Sequence, residues 1–132
     1  MHYRPLLIAL FAASVFLNPS APLGADQFPS RTVKFVVPQT PGGATDVFAR
    51  KFAQVLSEKW GQPVIVENRA GAGGVVGTDA VAKSAPDGHT LLVTYAGSQA
   101  INPSLYSKIP FDSVKDFQTV ATLASKIGRA HV

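Results

Sequence analysis

The stretch TVKFVVPQTPGGATD, residues 32–46, decides how this chain begins to fold. Residues 32–38 are rich in β-branched and aromatic side chains and end at a proline, which predicts a buried strand. A glycine-rich turn follows, and an amphipathic segment begins at Gly43. Because the first N–H groups of a helix lack partners within it and carry a partial positive charge, the start of this segment favours an anion such as a carboxylate or a phosphate.

The same arrangement occurs again further along the chain. Residues 63–67 predict a second short strand, the sequence ENRAGAGG at residues 67–74 predicts a second glycine-rich turn, and residues 75–85 predict a second helix. After a Pro-Asp-Gly turn, residues 90–95 predict a third strand. Strands that alternate with helices are typical of an α/β fold with a mainly parallel sheet and flanking helices, whose ligands bind beyond the carboxyl ends of the strands.

The first helix is predicted to span residues 43–60. Its large apolar side chains recur at helical spacing, so we expect them to face the core. They are Val47, Phe48, Phe52, Val55, Leu56 and Trp60. Beyond residue 102, two prolines and weak periodicity predict a loop with one helical turn, and residues 117–124 predict another strand or a crossing segment.

Composition limits the classes of function that the chain can have. Its 132 residues are 46% hydrophobic, enough for one modest core. It has no cysteine, which excludes disulfides, thiolate chemistry and cysteine-based zinc sites, and we predict no metal site and no cofactor. Of the twelve Lys and Arg residues, Arg4 and Arg129 lie near the ends, which leaves ten against eight acids, or a net charge of +2. Without a basic cluster we predict no nucleic-acid partner.

The first 25 residues have the pattern of an export signal. A short positive start precedes an apolar run from Leu6 to Leu17, and Ala25 offers a small residue at a cleavage point. The apolar run is short for a membrane span, although an uncleaved anchor is the alternative. We therefore predict a signal peptide at residues 1–25, with no stable membrane insertion after cleavage.

The last residues of the chain suggest a foreign origin. Residues 127–132, IGRAHV, back-translate to ATC GGA AGA GCA CAC GTC, which resembles a common sequencing adapter. We therefore expect residues 126–132 to be a non-native tail at a truncated end. The folded part is then expected at residues 26–125.

Several short motifs follow one another in a characteristic order and spacing. They are VVPQTPGGATD at residues 36–46, Ala49-Arg50, GQPVIVENR at residues 61–69, GAGG at residues 71–74, PDG at residues 86–88, Asn102-Pro103, Leu105-Tyr106 and Asp116-Phe117. Together they resemble the Bug family of extracytoplasmic solute receptors, the substrate-binding components of tripartite tricarboxylate transporters. The resemblance covers essentially all of residues 26–125.

The resemblance implies a type II periplasmic-binding-protein fold, in which two α/β domains close on a small carboxylated solute. Residues 26–125 would form the N-terminal part of domain 1, because members of the family are longer than this chain. It also implies a receptor in the periplasm that delivers its solute to the membrane subunits of a transporter, rather than an enzyme. A receptor that presents its solute to a signalling partner is the alternative.

The resemblance and the two glycine turns together define a candidate ligand site. Its residues are Gly42, Gly43, Ala44, Thr45, Asp46, Gly71, Ala72, Gly73, Gly74 and Ser98. In the family the first turn lies against one ligand carboxylate. The N–H groups of the second turn could reach the other end of the ligand or bridging water molecules, and the hydroxyls of Thr45 and Ser98 could donate hydrogen bonds. No catalytic residue is assigned.

Three ionisable residues near these turns need separate interpretation. Asp46 could contact the ligand through water or a ligand amino group, or it could satisfy backbone N–H groups in the first turn of the helix. Arg69 could bind a carboxylate through two hydrogen bonds, or pair with a neighbouring acid. His89 is predicted to have a surface or packing role, since relatives often carry tyrosine at this position.

The alternative from another class is a nucleotide-binding α/β enzyme. Residues 71–76 begin like G-x-G-x-x-G, but Val76 occupies the third glycine position and the motif follows the second strand instead of the first. No G-x-x-x-x-G-K-[ST] motif occurs in the sequence. A hydrolase is disfavoured as well, because there is no G-x-S-x-G motif and Ser98 has only His89 as a possible base. We therefore predict that the protein is not an enzyme.

Overall fold

The computed structural model describes residues 27–125 of the protein, and strands and helices alternate along them as the sequence predicts. The strands are β1 (Val33–Val37), β2 (Val64–Asn68) and β3 (Thr90–Leu92). The helices are α1 (Ala44–Trp60), α2 (Val75–Ala82) and the one-turn α3 (Asn102–Leu105). A 3₁₀ turn (Ala72–Gly74) precedes α2, and a π-helical turn (Gly97–Ile101) precedes α3.

The three strands form one parallel sheet in the order β2-β1-β3. Residues 33–37 of β1 pair with residues 64–68 of β2, and residues 34–36 pair with residues 90–92 of β3. Because parallel strands need crossover connections, α1 joins β1 to β2 and α2 joins β2 to β3. The predicted α/β fold with a parallel sheet and flanking helices is confirmed.

The core lies between β1 and α1. Val33, Phe35 and Val37 share one face of β1 and cluster with Ala49 and Ala53 of α1. The second helix, α2, contacts both β1 and β3. Four of the five residues of β1 are buried, which is typical of a central parallel strand that is covered on both faces.

The buried face of α1 differs from the face that the apolar pattern predicts. Asp46, Ala49 and Ala53 are its buried residues, and Leu56 and Trp60 pack at the edge of the core as predicted. The other large apolar side chains are exposed, by 52% at Val47, 44% at Phe48, 37% at Phe52 and 59% at Val55. Small side chains let the helix lie close to the sheet, so the alanines occupy the interface. The prediction that these four residues belong to the core is wrong for the described part of the chain.

Two elements end earlier than predicted, and one is not formed. β3 ends at Leu92, and the N–H of Val93 makes the next ladder bond to β1 before the chain enters the π-helical turn. α2 ends at Ala82 instead of residue 85, close to the proline that follows. Residues 117–124 form neither a strand nor a helix. The predicted helical turn after residue 102 is confirmed by α3.

Two predictions concern segments outside the described residues. The signal peptide at residues 1–25 and the non-native tail at residues 126–132 both lie there. Between residues 27 and 125, no helix combines the length and the apolar character that crossing a membrane requires.

Candidate functional site

The carboxyl ends of the three strands lie at one edge of the sheet, where the strand order reverses. The chain passes from β1 to β2 on one side and then returns across β1 to reach β3 on the other side. In open α/β sheets such a reversal leaves a crevice beyond the two strands at which it occurs, here β1 and β3. The loop after β1 leads to Gly43 and the loop after β3 leads to Ser98, so both predicted segments lie at this edge.

The first glycine turn, residues 41–46, presents free N–H groups at the start of α1. Gly43 precedes the helix in an extended conformation (φ −74°, ψ 167°), and no side chain caps it. The N–H of Val47 donates to the Gly43 carbonyl at 3.0 Å, which begins the helical ladder. Within residues 27–125, the N–H groups of Gly43, Ala44 and Thr45 have no hydrogen-bond acceptor. Free donors at the positive end of a 17-residue helix suit an anion.

Asp46, in the same turn, is engaged by three groups of the protein. Only 3% of this residue is exposed. Its Oδ2 accepts from the N–H of Gly42 at 2.9 Å and from Nε of Arg50 at 3.0 Å, and its Oδ1 accepts from Nδ2 of Asn68 at 2.9 Å. These hydrogen bonds, that from Arg50 foremost, lower the pKa of Asp46 from 3.8 to about 2. The carboxylate therefore satisfies a backbone N–H of the turn, which is one of the two interpretations that the sequence leaves open.

Arg50 and Asn68 complete this network, although neither is among the predicted site residues. Nη2 of Arg50 donates to Oδ1 of Asn68 at 3.0 Å, and Nδ2 of Asn68 also donates to the carbonyl of Gln39 at 3.3 Å. Since Asn68 ends β2, the network joins the loop after β1 to the end of β2. The i,i+4 spacing of Asp46 and Arg50 is a signal from which their pairing could be predicted. No such signal marks the contact with Asn68, 22 residues away.

The second glycine turn, residues 71–74, accepts hydrogen bonds from the N–H groups at the start of α2. Three consecutive residues from Ala72 have positive φ values of 46°, 63° and 98°. The N–H groups of Gly74 and Val76 both donate to the carbonyl of Gly71, at 2.9 and 3.5 Å, and the N–H between them donates to the carbonyl of Ala72. The protein itself therefore uses three N–H groups at the start of α2.

Ser98 lies directly behind this second turn. It is fully buried, and a Cβ added to Gly74 would lie 2.6 Å from its Oγ and 3.3 Å from the carbonyl oxygen of Pro38. Among the described residues its Oγ has no hydrogen-bond partner. Ser98 thus combines a buried hydroxyl without a hydrogen-bond partner with a tight contact to the glycine turn.

One residue in α3 and one just after it lie against the second turn, and the sequence assigns neither to the site. Nδ2 of Asn102, which is 7% exposed, donates to the carbonyl of Gly73 at 2.8 Å. A Cβ added to Gly73 would lie 3.0 Å from the hydroxyl oxygen of Tyr106. Both residues belong to motifs that carry the family resemblance. Their contact with the turn spans about 30 residues, however, and no local pattern indicates it.

Arg69 is paired with a neighbouring acid. Its Nε contacts Oε1 of Glu67, whose Oε2 lies 2.9 Å from Nζ of Lys34. The hydrogen bonds from Lys34 and then from Arg69 lower the pKa of Glu67. The sequence leaves two interpretations of Arg69, binding a carboxylate or pairing with a neighbouring acid. The structure shows the ion pair with Glu67.

His89 has a packing environment. It is 8% exposed, its ring lies edge-on to Phe28 with the centroids 5.1 Å apart, and its Nδ1 is 3.1 Å from the carbonyl oxygen of Asp87.

The part of the chain that the structure describes contains no group of three His, Asp or Glu residues placed to hold a metal ion.

The chain is similar in sequence to one known family. Residues 48–128 match the model of the tripartite tricarboxylate transporter family receptor. Protein BugT of Bordetella pertussis strain Tohama I is 47% identical over 116 residues, which are 87% of this chain and 35% of BugT. The chain spans about a third of the length of the curated relatives that it matches.

Solved structures agree with the sequence match. The periplasmic binding protein BugD has 41% sequence identity and a TM-score of 0.64, with 68% of this chain and 30% of BugD covered. MatC from Rhodopseudomonas palustris, solved with bound malate, has 43% identity and a TM-score of 0.65, with 68% of this chain and 31% of MatC covered. The chain therefore belongs to the Bug family of tripartite tricarboxylate transporter receptors, whose members are solute-binding receptors and not enzymes.

Proposed function

We propose that this chain is part of a periplasmic receptor that captures a small carboxylate, of the organic-acid or amino-acid type, for tripartite tricarboxylate transport. The observation that carries the proposal is the set of three N–H groups without acceptors at the start of α1, beside the reversal of the strand order. MatC, which is 43% identical and was solved with malate, supports a carboxylate over a phosphate.

In this proposal the first glycine turn receives one carboxylate of the solute. The N–H groups of Gly43, Ala44 and Thr45 donate to its oxygens, and the hydroxyl of Thr45 adds a further donor. The N–H of Gly42 already donates to Asp46, so Gly42 contributes the shape of the turn rather than a ligand contact. Asp46 positions the turn and does not itself touch the solute.

The second glycine turn and Ser98 face the other end of the solute. Among the described residues the N–H groups of Ala72 and Gly73 have no acceptor, and Oγ of Ser98 has no partner. These groups can bind the solute directly or through a water molecule. Gly71 and Gly74 keep the turn in its left-handed conformation, because their φ values of 145° and 98° favour glycine.

The rest of the proposed receptor lies outside the described residues. Residues 26–125 form the N-terminal part of domain 1, and the second domain closes over the solute from the opposite side. Contacts made only in the closed form stabilise that form, which then delivers the solute to the membrane subunits of the transporter. Residues 1–25 direct the chain to the periplasm. The process needs no catalytic residue, metal ion or cofactor.

The test uses the full-length receptor, by which we mean this segment together with the remainder of its reading frame, recovered from the genomic locus. Titration calorimetry compares L-malate, succinate, citrate and L-aspartate with ATP and NAD. We expect a carboxylate to bind with a Kd of about 1 μM or lower, and the nucleotides not to bind. Binding of a nucleotide without any carboxylate would refute the proposal.

A second titration uses the 132-residue chain alone. We expect its carboxylate affinity to be at least about 100-fold weaker, because it supplies only one side of the cleft. Equal affinity in the short chain and the full-length receptor would contradict the closure of two domains over the solute. Genes for transporter membrane subunits beside the full-length gene are the expected genomic context.

A further inference from the structure

We propose that Arg50 is a positioning residue that keeps the first glycine turn receptive to an anion, by neutralising Asp46 and by fastening both residues to Asn68. This inference rests on the proposed function and adds a specificity role for a residue outside the predicted ligand site. Arg50 acts through Asp46 and has no contact with the solute.

The first step of the argument is electrostatic. Asp46 is buried and lies in the same helical turn as the three free N–H groups that the solute would occupy. A lone carboxylate there would offset the positive potential at the start of the helix and repel a second carboxylate, since charges a few ångströms apart interact strongly when they are shielded from water. Nε of Arg50 lies 3.0 Å from Oδ2 of Asp46 and cancels that charge. The turn can then keep the acid that fixes its shape and still attract an anion.

The second step is mechanical. Arg50 donates through a different nitrogen, Nη2, to Asn68, which itself donates to Asp46 and to the carbonyl of Gln39. Each member of this triad therefore contacts the other two. The planar guanidinium group can make both hydrogen bonds at once, which the ammonium group of lysine does not reproduce. The first turn is thereby held to the end of β2 rather than being free to swing with the loop.

The third step excludes other sources of compensation. Lys34 of β1 and Arg69, which follows β2, both pair with Glu67. Within residues 27–125, Arg50 is the only cation in salt-bridge distance of Asp46. Lys51, the next residue on α1, is exposed and forms no ion pair with a described residue. Lys51 therefore provides a control that removes the same charge from the same helix without opening the triad.

The experiment compares three variants of the full-length receptor by calorimetric titration with L-malate. R50Q is expected to lower the affinity at least about tenfold, because Asp46 is then uncompensated, whereas K51Q changes it less than about twofold. The double variant D46N/R50Q is expected to recover to within about threefold of wild type, since neither charge remains and only the link from residue 50 to Asn68 is still missing. Equal losses in R50Q and K51Q, or no recovery in the double variant, would overturn the proposal.

A pH profile separates the electrostatic role from a merely structural one. Without Arg50 the pKa of Asp46 loses its largest lowering influence and rises, so acid should restore malate affinity in R50Q. Dividing the affinity of R50Q by that of the wild type at each pH removes the effect of malate's own titration. We expect this ratio to rise as the pH falls through the range in which Asp46 takes up a proton in R50Q but not yet in the wild type. A constant ratio would contradict the electrostatic role of Arg50 and leave only its mechanical link to Asn68. If the wild-type receptor binds no carboxylate, the proposed function has failed instead.

Discussion

The two glycine turns look alike in the sequence, yet the structure uses them in opposite ways. The first turn leaves the N–H groups of Gly43, Ala44 and Thr45 free at the start of α1. In the second turn, the N–H groups at the start of α2 donate to the carbonyls of Gly71 and Ala72. The first turn leaves the N–H groups at its helix start free for an incoming anion, whereas the second turn uses those at its helix start itself and leaves only the preceding N–H groups of Ala72 and Gly73 free. Glycine content before a helix therefore does not by itself identify an anion site.

The surroundings of the glycines explain this difference. A Cβ added to Gly42 would meet nothing within 4 Å, and one added to Gly43 would meet only the Thr40 carbonyl oxygen at 4.0 Å. In the second turn, added Cβ atoms would come within 3.0 Å of a neighbouring side chain at Gly71 and Gly74. Glycine provides access in the first turn, and it provides close packing in the second.

The largest loss of stability should come from adding a side chain at a glycine of the second turn. G74A places a Cβ 2.6 Å from Ser98 Oγ and imposes a φ of 98° on alanine, so we expect it to lower the free energy of unfolding by about 3 kcal/mol. G43A in the first turn should cost less than about 1 kcal/mol. Urea denaturation of the full-length receptor measures both. Similar losses in the two variants would remove the distinction between an open and a packed turn.

Removing the hydrogen bond that Asn102 donates to the second turn should cause an intermediate loss of stability. N102A leaves the Gly73 carbonyl without the hydrogen bond that Asn102 donates at 2.8 Å, and we expect a loss of about 1–2 kcal/mol in the free energy of unfolding. The control S104A, at an exposed position of α3, should stay within about 0.5 kcal/mol of wild type. An effect of N102A no larger than that of S104A would show that α3 does not stabilise the turn.

A smaller and opposite effect should come from the one non-glycine residue with positive φ among those described. Ala72 has a φ of 46°, a conformation in which alanine is strained and glycine is not. A72G should therefore raise the free energy of unfolding by about 0.5 kcal/mol, even though it makes the unfolded chain more flexible. A80G, in the regular part of α2, should lower it by about 1 kcal/mol. If thermal unfolding shows both variants destabilised, the left-handed geometry of the second turn is not as described.

The smallest effect is expected when the receptor is titrated to low pH. The pKa of Asp46 in the folded protein is about 2, below its ordinary value of 3.8, so the contribution of this carboxylate is complete above about pH 4 and lost as the pH falls through 2. In the glycine-labelled receptor, the amide signal of Gly42 should move only below about pH 3, while that of Gly74, which donates to a carbonyl, should not move before unfolding. A midpoint near 3.8 for Gly42 would show that Asp46 is not engaged.

Much of the fold followed from local patterns. The β-branched run before Pro38 and the matching runs near Val64 and Thr90 predicted the three strands, because buried parallel strands need continuous apolar sequence. The buried face of α1 was predicted wrongly, because the prediction followed large apolar residues such as Phe48, whereas the small residues Ala49 and Ala53 lie against the sheet. Which side of a helix lies on a sheet depends on how closely the two can approach, and that is a property of the assembled layers.

The sequence alone determined the order of strands and helices, the two glycine turns and the family to which the chain is similar, because these depend on local spacing and on motifs in a fixed order. The tertiary structure decided which N–H groups of each turn stay free. It also joined Asp46 and Arg50 to Asn68, and Gly73 to Asn102. These features depend on φ values and on contacts between residues that are 22 or more positions apart. The packing of the sheet sets the distances between such residues, and no local sequence pattern indicates them.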